Sequence, residues 1–256
     1  MAATIPRAAL DFLTEEINGI SADAQARVLR VLESIKWTPE NVAECRDLVL
    51  QALASVMPTY TGMAAQASAD FYDAARELSI GKTLGAVAYS GYEPDKTDGA
   101  VRAFVQRIVD RNDVQSFNDA VLQRIDYEMK LSAASSTVYN GERDPKSVRY
   151  ARVPTGAETC DFCLMLASRG FVYKNQGSAL SHTHSSCDCR VVPGWRGDTV
   201  DGYDPDEIYD RWQSRIDELA SERAERKGTS EASERAAILR GYGNAAKAAK
   251  QRRKTA

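Results

Sequence analysis

The chain has 256 residues, 43% of them apolar and 27% charged, which is enough to bury a core in one or two domains and excludes a collagen-like or broadly disordered chain. The formal net charge of -3 hides an asymmetry: residues 1–140 carry 19 acids against 13 bases, and residues 235–256 carry seven bases and no acid. That pattern predicts a solvated body with a cationic tail.

The opening MAATIPRAALDFLTEEING lacks a basic start followed by an apolar run, and no stretch is read as reaching membrane-spanning length, so a soluble chain with no membrane partner is expected. In a reducing cytosol a disulfide framework is not expected either, and the five cysteines need another explanation.

Between Ala24 and Ile35 the residues Val28, Val31, Leu32 and Ile35 recur at helical spacing. After Pro39 the positions Val42, Cys45, Val49, Leu53 and Val56 form one apolar stripe, which makes Cys45 a small buried hydrophobe rather than a reactive thiol. Ala64 to Leu78 continues as helix, and YSGYEPDKTDG breaks the pattern as a long loop or hinge. Phe104, Ile108, Phe117, Val121, Ile125 and Met129 then suit helices facing a shared core, with a joint at Arg111 to Asp113. Residues 1–140 are therefore predicted to be a helical body.

At Asn140 to Pro145 the text changes to a turn signal, and SVRYARVP, FVYKN and CRVVPGW are short strand patterns. The segment 141–200 is too thin to hold a core unaided and predicts a staple. Beyond it, Asp204 followed by Pro205, Asp206 and Glu207 is a helix start, with Ile208, Trp212, Ile216 and Leu219 on one face. The acids of DGYDPDEIYD do not make a calcium loop, because a proline interrupts them and no glycine stands sixth. Residues 201–256 read as a charged helix ending in a frayed or disordered basic tail. The predicted class is mainly α: an N-terminal helical bundle, a small zinc-stapled α+β module and a C-terminal charged helix.

The chemistry concentrates in one place. Cys160 and Cys163 form a C-x2-C pair, and SHTHSSCDC supplies His182, His184, Cys187 and Cys189, including both histidines of the chain. Two thiolates three positions apart can reach one ion from a tight turn, and residues two apart on a strand share a side. The predicted ligands of one structural zinc come from Cys160, Cys163, His184, Cys187 and Cys189; four cysteines or three with one histidine would both serve. His184 is the better histidine because it stands three before Cys187, and His182 is expected nearby or exposed. A redox pair at Cys160 and Cys163 would leave the second claw unexplained, and a catalytic zinc needs an open position that five donors argue against.

The residues ARVPTGAETCDFCLMLASRGFVY followed by HSSCDCRVVPGW resemble the MuF-like minor head proteins of tailed bacteriophages, particularly actinobacterial phages. That family's C-x2-C, variable insert and H-x2-C-x-C is met by Cys160, Cys163, His184, Cys187 and Cys189, over about residues 141–196. The resemblance implies a low-copy virion component of the head interior or portal vertex, made in the host cytoplasm, with the portal and other head proteins as partners. Its role would be in head assembly and genome packaging or delivery, without enzymatic chemistry.

Two other classes compete. A zinc-associated nuclease or head maturation protease lacks a spare general-base histidine. A zinc-ribbon DNA-binding protein sits badly with eight bases to six acids in 141–200 and an acidic body. Packaged double-stranded DNA is an expected contact only of the tail, through Arg235, Arg240, Lys247, Lys250, Arg252, Arg253 and Lys254.

Overall fold

The computed structural model describes residues 2–156, 159–180 and 188–255, with side chains placed through residue 243. The described chain is mainly helical with two small sheets. Strand β1 (Thr4–Ile5) leads into α1 (Arg7–Ser34), α2 (Val42–Ile80), α3 (Pro94–Phe104), α4 (Gln106–Arg111) and α5 (Val114–Arg143). The second half holds β2 (Arg149–Pro154), α6 (Asp161–Ala167), α7 (Gln176–Ala179), β3 (Cys189–Gly194), β4 (Thr199–Val200), α8 (Pro205–Lys227) and α9 (Glu231–Thr255).

Helix α1 begins well before Ala24, because Leu10, Leu13, Ile17 and Ile20 carry the same buried stripe as Ala24, Val28 and Leu32. Helix α2 runs unbroken through Pro58, which sits on its exposed side, and it packs against both α1 and α5. It corrects one expectation: α2 is long and apolar enough to cross a membrane by length and composition. Much of that apolar surface faces its neighbours, with Val49, Leu53, Met57 and Ala64 buried among the side chains of α1 and α5. Cys45 is buried in the same helix, and burial pushes its thiol above the ordinary range.

The joint predicted near Arg111 is real: Asn112 adopts φ 53 and the Asp113 carboxylate caps α5 by accepting from Ser116 N at 2.9 Å. The predicted hinge is instead a fastened strap that ends sooner, since Pro94 already starts α3. Asp73 accepts from the N–H groups of Leu84 (2.7 Å), Gly85 and Ala86 (2.9 Å). Asn140 then brackets Val87, accepting from its N–H and donating to its carbonyl, both at 2.9 Å.

Strands β2 and β3 pair antiparallel from Arg149↔Gly194 to Pro154↔Cys189. FVYKN contributes one bridge, Tyr173 to Tyr150, rather than a strand. β1 pairs in parallel with β4, Thr4↔Thr199 and Ile5↔Val200. Helix α5 passes through the predicted turn at Asn140 and ends at Arg143, where Asp144 precedes Pro145 in extended conformation.

Two cores result. One lies among α1, α2, α3, α4 and α5, around Val28, Leu53, Val101, Phe117 and Ile125. The other joins Leu10, Leu13 and Ile17 of α1, Phe71 and Tyr72 of α2 and Val138 of α5 to Tyr150, Met165, Val192, Trp195 and Trp212. The thin segment 141–200 thus completes its core with the helical body. Helix α9 carries the helical backbone, apart from Gly243, on to Thr255, through the stretch from residue 240 where a frayed tail was expected.

A buried ion pair ties the body to β2. Arg76 Nε donates to Asp144 Oδ2 at 2.7 Å, with side chains 5% and 0% exposed. Tyr72 Oη (2.9 Å) and Lys146 N (2.8 Å) also donate to that carboxylate. Burial alone would raise the Asp144 carboxyl, but the donations from Arg76, Lys146 and Tyr72 outweigh it and hold it below the usual carboxylate range. Asp144→Asn leaves the guanidinium buried without its counter-charge and is expected to cost on the order of 3–5 kcal/mol in urea unfolding. Because the folded value is depressed, the stabilisation is complete above the unfolded value of about 4 and fades as pH falls through the folded one. The loss of stability below about pH 4 should therefore be shallower in Asp144→Asn than in the parent.

Gly141 marks a close approach: a Cβ there would lie 2.0 Å from Tyr150 Oη, an atom held by its donation to Val138 O at 3.1 Å. Gly141→Ala is expected to destabilise by about 1–3 kcal/mol despite the better helix propensity of alanine, and Gly141→Ala/Tyr150→Phe to recover part of that loss in thermal melts.

Candidate metal centre

Cys160 is the residue before α6, extended at φ -64 and ψ 154, and its Sγ accepts from Cys163 N at 3.4 Å. This is the tight turn that C-x2-C was expected to make. Cys163 is fully buried on α6 and packs against Cys189, the first residue of β3. Cys160 itself is exposed. Three of the five predicted ligands therefore gather where α6 and β3 begin, while His184 and Cys187, with His182, lie outside the described residues. Among the described residues no three of His, Cys, Asp and Glu stand close enough to hold a metal ion.

The surroundings brace this corner. The Asp188 carbonyl accepts from Thr155 N (3.3 Å) and Thr155 Oγ1 (2.5 Å), and its carboxylate accepts from Gly156 N (3.1 Å) and Thr159 Oγ1 (2.9 Å). Asp188 thereby ties the second cysteine run to the loop that carries the first. A Cβ on Gly156 would meet the Asp188 Cβ at 2.8 Å, which explains glycine there. Arg190, 5% exposed, reaches α1, donating to Thr14 Oγ1 at 3.3 Å and Asn18 Oδ1 at 2.9 Å. Two tyrosine hydroxyls cap the far end of α6: Tyr173 donates to Leu166 O (2.7 Å) and Tyr203 to Ala167 O (2.5 Å). Burial pushes the Tyr173 hydroxyl up to about 12, so it stays a donor across the physiological range.

Several of these residues escape sequence reasoning. Asp188, wedged between two cysteines, reads as a spacer, and no periodicity announces its turn contacts. Phe162, inside C-x2-C, stacks on Tyr242 of α9 with ring centroids 5.9 Å apart, and Tyr242 also meets Trp212 edge-on at 5.7 Å. A lone aromatic in a charged run was the available signal. Of the predicted tail contacts, Arg235 pairs with Asp217 at 2.5 Å, Arg240 is exposed, and the side chains of Lys247, Lys250, Arg252, Arg253 and Lys254 lie outside those described.

A helical body sharing its core with a braced cysteine corner defines the class. A family model described as VG15 protein matches residues 4–215, and the chain belongs to that family. The match spans both body and cysteine corner and points to a phage-encoded protein. No curated protein and no solved structure matches the chain.

Because Cys163 is buried on α6, whose Leu164, Met165 and Leu166 belong to the core that also holds α1, α2 and α8, damage there should reach the whole second core. Cys163→Ser is expected to lower one cooperative unfolding transition by about 1–3 kcal/mol, read alike by helical circular dichroism and tryptophan fluorescence. Two separate transitions, with Trp195 and Trp212 lost before the helical signal, would show that corner and body melt independently.

Proposed function

We propose that the chain is a MuF-like minor head protein, a low-copy virion component at the portal or head interior that acts in head assembly and genome packaging or delivery. The observation that carries this reading is the ordered C-x2-C and H-x2-C-x-C pattern, lying inside a family match that takes in body and corner together. Its partners would be the portal and other head proteins. Its role is structural, with no reaction assigned to it.

The donor set suits one zinc ion, held by four of Cys160, Cys163, His184, Cys187 and Cys189, either all four cysteines or three of them with His184. Zinc would there act as a staple: it supplies no chemistry beyond fixing α6 and β3 against each other. The buried Cys163 and Cys189 side chains in mutual contact support this, since an ion bound at their thiolates would add folding free energy where α6 meets β3.

Two measurements test the reading. Purified protein should carry about one zinc per chain, and chelation should lower its melting temperature; metal-free protein of unchanged stability would remove the staple. Mass spectrometry of gradient-purified particles should find the chain at a few copies per particle, and its absence from intact heads would sink the head-protein assignment.

A further inference from the structure

Helix α9 has two halves of different character. Up to Tyr242 it is fastened: Ile238 is buried in the second core, and Tyr242 sits between Phe162 and Trp212. Arg235 is held there, donating through Nε to Asp217 (2.5 Å) and through Nη2 to Gln213 (2.5 Å). Then Gly243 departs from helical geometry, at φ 56 and ψ -134, before the helical backbone resumes and runs to Thr255. That conformation is open to glycine and strained for other residues. It changes the direction of the chain immediately after the last aromatic anchor.

Beyond this break the sequence is NAAKAAKQRRKTA. It has five bases, no acid and no apolar side chain larger than alanine. An interfacial membrane helix needs large apolar residues opposite its bases, and none is present. A dense row of phosphates needs only positive charge, because each neutralised phosphate releases condensed counterions.

We infer that residues 244–255 form a cationic arm, hinged at Gly243 and anchored through Tyr242 to the cysteine turn, that binds double-stranded DNA through its phosphates without reading sequence. The binding residues are Lys247, Lys250, Arg252, Arg253 and Lys254. Arg235, engaged by Asp217 and Gln213, takes no part. The choice of DNA as the polyanion rests on the head-interior reading; the hinge, anchor and charge row do not.

The experiment uses the full zinc-supplemented chain, two duplex DNAs of unrelated sequence, and vesicles containing anionic phosphatidylglycerol. With five contacts at about 0.9 each, the logarithm of affinity should fall against the logarithm of salt with a slope near -4.5, about 500-fold between 50 and 200 mM, equally for both duplexes. Replacing the five bases by glutamine should flatten the slope to near zero, and Arg235→Gln should leave it unchanged. The inference is overturned if the fivefold variant keeps the parental slope, if Arg235→Gln flattens it as much, or if vesicles are bound more tightly than duplex at equal salt. Its failure is separable from that of the head-protein reading: a chain found in particles but with a flat slope sinks the arm alone, and a chain absent from particles with the slope intact sinks the head assignment alone.

Discussion

The architecture turns on the buried carboxylate of Asp144. It closes α5, opens the path into β2, and receives the Arg76 guanidinium and the Tyr72 hydroxyl from α2. Burying two charges is costly unless geometry and hydrogen bonds compensate, and here the same guanidinium also donates to the carbonyls of Lys82 and Thr83, at the root of the strap over α2 and α5. One ion pair thus ties together three things: α2 at the end of α5, the start of the strap and the chain that enters the second core. An apolar pair of equal volume could fill the space but could not specify all three partners.

The cysteine corner inherits its position from that constraint. β2 leaves Asp144 and leads to the loop that Asp188 grips, so the beginnings of α6 and β3 are presented together. Arg190 carries the connection on to α1. The corner is small, yet α6 packs against β2, α8 and α9, so what happens there bears on the elements around it. Phe162, set between Cys160 and Cys163, passes the same constraint outward to α8 and α9 through its stack on Tyr242.

Much of this was readable in the sequence where a single local rule dominated. Asp204 and Pro205 start α8 as their chemistry requires, with Asp204 Oδ1 accepting from Asp206 N at 2.8 Å. SVRYARVP and CRVVPGW were legible as strands but not as each other's partners, and both are buried along their length rather than on alternate residues. What was illegible depended on partners distant in sequence. The stripe of α1 is interrupted by charges at Glu15 and Glu16, which hides its first half. Pro94 looks like a loop breaker until it is seen as the first residue of a helix. The separation of body from module seemed natural from composition, yet Leu13, Tyr72 and Val192 lie in one core because small strands find in long helices the apolar surface they lack. The cysteine and histidine pattern was legible as a motif; Asp188, which ties the loop before Cys160 to the start of β3, was not, since one acid carries no pattern.

The parallel pairing of β1 with β4 has a consequence for how the chain is made. Thr4 meets Thr199 across 195 positions of sequence, and Ala3 N donates to the Asp198 carboxylate at 2.8 Å over the same span. On a ribosome elongating at about 5–20 residues per second, the first strand waits on the order of 10–40 s for its partner to emerge. During that interval the start of α1 has apolar residues exposed and no edge to pair with, while the contacts among α1, α2 and α5 can already form. Closure of the molecule is therefore a late event with a large loop entropy against it, and folding from the ribosome should proceed from the helices inward, with the two ends of this span zipped last.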